Sequence, residues 1–287
     1  MSLTTCAFCH AEFPVELTSC PRCGAGADVR AVVDAGGWVE SPGIKDLAEV
    51  QLGKSHAQVE GVMVPVVDVD LADGDTVFCT HDKLLWYDGA VKLTTKKSGF
   101  FKSRRSGMPL TLLQATGPGR IAFSDNHAGE LVAMPLDAGE TLFARQHHML
   151  LATGNVDYDG HNLNLYYQTG SGDDKETEYP VGNFERFIAP AGEPGLVFLQ
   201  AAGNVFIRTL GNGEAVDVAP HSLLAWRGAV QNNLLIERRQ FYSSYHHYLS
   251  VRVQGPGTLW IQSGAMGKTQ ESGSVSGVGP GTYIRDI

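Results

Sequence analysis

No stretch of this 287-residue chain reaches the roughly 18 consecutive apolar residues that a membrane-spanning helix needs. The N-terminus lacks a charged start followed by an apolar run, so a secretory signal is not expected and a cytoplasmic location is. Charge is scarce: only 18% of residues are charged, and 22 Lys and Arg against 31 Asp and Glu leave a formal net charge of -9. That balance disfavours nucleic acid as a partner, because phosphate backbones are bound by clustered cations that release counterions. A Gly-x-Ser-x-Gly elbow, a phosphate-binding loop and a His-Glu-x-x-His helix are all missing. No nucleophile, base and acid converge, and a non-enzymatic role is expected. Long apolar patterns of period 3.6 are missing too, so the fold class expected is all-β.

Cysteine is rare, with five residues, yet four of them form a pattern. Cys6-Ala-Phe-Cys9 and Cys20-Pro-Arg-Cys23 are two knuckles, each able to place two thiolates on one ion from a tight turn. Four thiolates at this spacing point to structural zinc, held by Cys6, Cys9, Cys20 and Cys23. The alternatives are two disulfides or free thiols. Disulfides are disfavoured in a reducing compartment, and Cys-x-x-Cys pairs seldom bridge internally outside redox proteins. Four cysteine ligands leave no open position, so the ion would hold together a small zinc ribbon, residues 1–26, too short to build a core. Residues 27–58 read as a linker that packs through Trp38.

Glycine is abundant, at 34 residues, and some of it recurs in register. Leu136 to Val156 overlays Leu71 to Val91 when slid back by 65 residues, and Leu210 to Val230 when slid forward by 74. Gly74, Gly139 and Gly213 correspond and are followed by Asp75, Glu140 and Glu214; Gly89, Gly154 and Gly228 also correspond. Each copy begins with an alternating strand ending in leucine, turns at the first glycine and continues as a meander. Gly117-Pro118-Gly119, Glu193-Pro194-Gly195 and Gly255-Pro256-Gly257 then start a further strand. Residues 59–264 are therefore expected to form three β-sandwich repeats related by a pseudo-threefold axis, with the strand from Val62 to Leu71 completing the last copy and closing the ring. Residues 265–287 form a Gly- and Ser-rich tail of flexible composition, in which Tyr283-Ile284 can dock as a short strand.

The Gly-acid turn, the run from Leu84-Leu85 to Gly89-x-Val91 and the Pro-Gly strand starts such as Gly117-Pro118-Gly119-Arg120-Ile121 resemble the altered inheritance of mitochondria protein 24 family over about Val59 to Gly264. That resemblance implies a fold similar to the tryptophan RNA-binding attenuation protein, with β-sandwich units in a pseudo-trimer. It implies no catalytic residues. A mitochondrial member is linked to inner-membrane organisation, whereas the N-terminal residues here do not read as a mitochondrial presequence and that membrane role is not expected. The cysteine module looks like a zinc ribbon added to such a domain.

Function usually sits on loops carried by a rigid scaffold. The first copy carries Lys96, Lys97, Phe100, Phe101, Lys102, Arg104 and Arg105, two aromatics among five cations. This suits an anionic membrane surface or an acidic partner; the plainer reading packs the aromatics on their own sandwich and leaves the cations in water. The second carries the acidic run Asp173, Asp174, Glu176 and Glu178, which reads as solvated and could meet the basic loop of a neighbouring copy in a homo-oligomer. The third carries Arg238-Arg239 and an aromatic run to Tyr248. His147-His148 and His246-His247 would diverge on strands and cannot each chelate one ion, and Cys79 reads as a small core residue. The expectation is a scaffold or adaptor for a protein partner, with membrane association and nucleic-acid binding as alternatives.

Overall fold

The computed structural model describes residues 3–14, 17–26, 38–41, 43–44, 46–97, 111–125, 127–241, 244–264 and 275–286. Among them the chain is all β apart from one 3-10 turn. β1 (Leu3–Thr5) and β2 (Glu12–Pro14) form a hairpin around the first cysteine knuckle. β3 (Val39–Glu40) follows, then β4 (Ala48–Leu52) and β5 (Ser55–Glu60), which pair antiparallel across Gly53-Lys54. Gly53 takes a φ of 64°, which a two-residue hairpin turn requires and most side chains resist. β4 and β5 bury alternate residues, Ala48, Val50 and Leu52, then Ser55, Ala57 and Val59. The segment expected as linker is thus, from residue 48 onward, part of the first sheet.

The next six strands are β6 (Val66–Leu71), β7 (Thr76–Cys79), β8 (Leu84–Tyr87), β9 (Lys92–Lys97), β10 (Thr111–Thr116) and β11 (Gly119–Ser124). They are followed by β12 (Leu131–Leu136), β13 (Thr141–Arg145), β14 (Met149–Thr153), β15 (Asp157–Asn162), β16 (Tyr167–Thr169), β17 (Glu176–Glu178), β18 (Asn183–Ile188) and β19 (Gly195–Gln200). β20 (Val205–Leu210), β21 (Ala215–Val218), β22 (Leu223–Gly228), β23 (Gln231–Phe241), β24 (Ser244–Gln254) and β25 (Gly257–Gln262) come next, and β26 (Val275–Val278) and β27 (Thr282–Asp286) end the chain. β27 adds in parallel to β23, which places Tyr283-Ile284 on a sheet edge as the tail composition allowed.

Four larger sheets carry the fold. The first runs β4-β5-β6-β11-β8, the second β12-β19-β14-β7-β10-β9, the third β15-β18-β13-β22-β25-β20-β3, and the fourth β21-β24-β23-β27. β6 lies between β5 and β11, its own Pro-Gly strand, so the strand ending at Leu71 does not complete the last copy. β20 occupies that place against β25. The reason is local: β6 and β20 run into their glycine turns close to the Gly-Pro-Gly starts of β11 and β25, and Gly117 and Gly255 lie against the backbone carbonyls of Leu71 and Leu210 where a Cβ could not fit.

Three apolar cores fill the spaces between successive sheets. Val67, Val69, Ile121 and Phe123 of the first sheet meet Val77, Leu150 and Phe198 of the second. Met134, Leu136 and Val197 on the opposite face of that second sheet meet Leu142, Phe187 and Trp260 of the third. Leu210, Trp226 and Leu259 then meet Leu234, Ile236 and Val251 of the fourth. Each fully buried Phe or Leu contributes about 1.5–3 kcal/mol by leaving water. Cys79 is buried in the first core, in keeping with the apolar Ala144 and Val218 at the corresponding positions of the other copies. Trp38 packs on the third core, with Arg208 above its ring.

Candidate metal centre

The two knuckles bring four sulfurs together. The Sγ atoms of Cys6, Cys9, Cys20 and Cys23 all lie within 4.8 Å of one another. Cys6 Sγ is 3.7 Å from Cys23 Sγ, and Cys9 Sγ is 3.6 Å from Cys20 Sγ. A tetrahedral ion with metal–sulfur bonds of about 2.3 Å would set its ligands about 3.8 Å apart, so this donor set fits a four-thiolate ion with little movement. Cys6, Cys20 and Cys23 are buried and Cys9 half-buried. Hydrogen bonds from Cys20 and then Cys23 hold the Cys6 thiol well below its usual range, while those with Cys20 and Cys6 push Cys23 up.

Local backbone chemistry builds each knuckle. The Cys9 amide donates to Cys6 Sγ at 3.5 Å, and the Gly24 amide closes the second turn on the Cys20 carbonyl at 2.8 Å. Gly24 has a φ of 74°, and a Cβ there would sit 2.6 Å from Ile44 Cγ2. The absence of a side chain at Gly24 thus lets the module approach Ile44, Val50 and Ala48. His10 is exposed at the turn and stands outside the cluster. The module is docked rather than tethered: the Gln51 amide donates to the Pro21 carbonyl at 2.7 Å, Ala25 bridges Ile44, and Phe13 shares the first core with Val50 and Val59.

Beside the module lies a cleft of about 1780 Å³. Phe8 and Arg22 of the module line it together with Met63, Glu130, Phe206 and Trp260 of the β domain. Its rim carries exposed apolar side chains, Val62 at 80% and Met63 at 75%. Burial pushes the Glu130 carboxyl up to about 7, against a hydrogen bond from the Val205 amide at 2.7 Å.

Of the basic-aromatic residues, Phe100, Phe101, Lys102, Arg104 and Arg105 lie outside the described residues, and Lys97 ends β9. Lys96 corrects the expectation of a free cation. Its Nζ donates to the carbonyls of Gly154 at 3.0 Å and Val156 at 2.8 Å and sits 4.0 Å above the Phe78 ring. Burial lowers its pKa. A strand residue pointing across the β7–β14 junction satisfies carbonyls there and cannot face a lipid surface. Asp173, Asp174 and Glu176 are exposed beside β17, in keeping with a solvated acidic loop. His147-His148 occupies the turn before β14, not a strand: His147 is exposed with a φ of 73°, and His148 is buried.

Sequence reasoning missed a buried polar cluster around that turn. Lys83 Nζ pairs with Asp125 Oδ2, and Asp125 Oδ1 lies 3.2 Å from His127 Nδ1. His148 Nδ1 is 2.7 Å from the Gln200 carbonyl, and the Tyr158 hydroxyl donates to Glu185 Oε1 at 3.0 Å. The signal lay in the alignment of copies, where Lys83 and His148 share one position immediately before β8 and β14. Desolvation pushes His148 down to about 4 and Glu185 up to about 7. For the histidine, the unfolded chain binds protons more readily, so stability is lost as pH falls from about 6.5 toward 4. For the glutamate, the folded chain holds the proton, so stability present below its unfolded value is lost as pH rises through about 7. Urea midpoints across pH should peak at mildly acidic pH, and Glu185→Gln should flatten the alkaline limb, leaving the part due to Glu130.

The model of the family described as mitochondrial biogenesis AIM24 matches residues 57–264. No curated protein matches the chain closely enough to count as a relative. A crystal structure of a structural-genomics target from Streptococcus pyogenes matches with a TM-score of 0.53 at 17% identity, covering 74% of this chain and 95% of that one. At that identity the likeness concerns the fold alone. No helix among the described residues is long and apolar enough to cross a membrane.

Proposed function

The chain belongs to the mitochondrial biogenesis AIM24 family, and from that premise we propose that it is a non-catalytic scaffold whose cleft receives a protein partner. In this reading the body is a triplicated β-sandwich and the cysteine module is a zinc ribbon fixed to its first sheet. The observation that carries the proposal is the cleft between module and β domain, rimmed by Val62 and Met63 at 80% and 75% exposure. Exposed apolar groups contiguous on a concave wall are costly to leave in water and suit a partner's apolar anchor.

Zinc is supported by the four-sulfur set and its tetrahedral spacing; with every position filled by thiolate, the ion would brace one wall of the cleft and take no part in chemistry. Triplication is supported by recurrence. β6-β11-β8, β12-β19-β14 and β20-β25-β22 pair in the same order, and a register shift falls at the equivalent place in each.

Affinity capture from the native cell tests the proposal. Wild-type chain should retain a protein that Val62→Ser/Met63→Ser chain of unchanged melting temperature loses at least tenfold. Equal recovery by both would refute the cleft as the docking site.

A further inference from the structure

All four large sheets are open, with an edge strand at each end among the described residues; two of these edges are β8, at one end of the first sheet, and β21, at one end of the fourth. Both are strands of a type that is paired elsewhere in the molecule. β14, equivalent to β8, pairs with β7; β22, its next equivalent, pairs with β13; and β7 and β13 are the equivalents of β21. The two junctions share one register. Phe78 opposite Ala152 and Val77 opposite Thr153 become, on shifting by one copy, Phe143 opposite Trp226 and Leu142 opposite Arg227.

Burial follows the same division. Leu150, Leu151, Leu224 and Ala225 are fully buried at the two junctions, whereas Leu85 and Trp86 at the equivalent places are 55% and 42% exposed. Tyr87 is 47% exposed where Ala152 and Trp226 are buried. Gly154 lies against Thr76 of the preceding unit, while a Cβ on the equivalent Gly89 would meet open space. An apolar edge strand with free backbone groups is a template for pairing, and β8 carries neither a proline nor a charge to blunt it.

The geometry points to head-to-tail association of copies of this chain, β8 of one molecule adding antiparallel to β21 of the next. Carrying the shared register forward sets Trp86 opposite Val218, Tyr87 opposite Asp217 and Asp88 opposite Val216. The contact continues the pattern of the two internal junctions, covering Leu85 and Trp86 as their equivalents are covered. Because the two surfaces differ, the interface is heterologous, and it generates a ring or a filament according to whether the rotation closes. The inference rests on the triplicate reading of the domain and is independent of the cleft and its partner.

Sedimentation of the full chain tests it with two edge variants, Trp86→Lys on β8 and Val216→Lys on β21, each first shown to melt like wild type. Should Val216→Lys fail to fold, Ala215→Pro takes its place. Wild type should exceed the monomer mass as concentration rises, and each variant alone should stay monomeric. Mixed in equal amounts, the variants should give a dimer and nothing larger, because each supplies the edge that the other has lost. A monomeric wild type, variants that keep the wild-type mass, or a mixture that stays monomeric would each overturn the assignment. None of these results bears on capture of a partner at Val62 and Met63.

Discussion

Serine at both Cys20 and Cys23 should remove any ion that the four thiolates hold and should lower the melting temperature of the whole chain by roughly 5–8 °C, not only that of its first 26 residues. The size follows from where the module sits. Cys6, Phe13, Cys20 and Cys23 share one buried cluster with Val50, Val67 and Phe123, so collapse of the knuckles opens the first core to water. Structural zinc supplies folding free energy outright, and a loss of about 3–5 kcal/mol in a chain of this length moves the midpoint by about this much. Metal analysis of the purified protein should give one zinc per wild-type chain and none in the variant. A variant that keeps its metal, or loses it with no change in melting, would contradict the four-thiolate assignment or the docking argument respectively.

Arg145→Met should be nearly as damaging although no chemistry is assigned to Arg145. Its guanidinium is half-buried, with Nε donating to the Leu223 carbonyl at 2.8 Å, one terminal nitrogen to the Val181 carbonyl at 2.8 Å, and the other to the Pro220 carbonyl. The ring of Phe184 lies 5.2 Å away. Desolvation lowers the guanidinium to about 10, which still leaves it charged at neutral pH. Methionine fills comparable space but strands three acceptors, and a cost of about 3–5 kcal/mol is expected in urea unfolding. Lysine should recover less than half of it, since one ammonium cannot reproduce a planar fork aimed in three directions. A loss below about 1 kcal/mol would mean that water replaces the guanidinium without strain.

Much of the architecture was legible in short-range pattern. The alternation of Val67, Val69 and Leu71, the turns at Gly74, Gly139 and Gly213, and the paired knuckles at Cys6 and Cys20 are each read within a few residues, and each became the strand, turn or thiolate cluster expected. What escaped reading depends on partners far away in sequence. Ala48, Val50 and Leu52 alternate as clearly as any strand, but Gly53-Lys54 is not among the stronger hairpin signatures such as Asn-Gly, so residues 27–58 read as a linker. Lys96 looked like one more cation in a basic run, and only the approach of Gly154 and Val156 across the β7–β14 junction shows that it is engaged. Arg145 aligned with Thr80 and Ala219 and gave no hint of the three carbonyls it gathers. Ring closure failed for a similar reason. Equivalent copies suggest symmetry, but whether the last edge meets the first is decided by the rotation from one copy to the next, which no single copy encodes.

If the domain is triplicated as proposed, the second and third sheets each join strands of two neighbouring units, β14 to β7 in one and β13 to β22 in the other, hydrogen-bonded through the middle. A cut between units therefore does not release a finished module; it tears a sheet and bares half of an apolar layer.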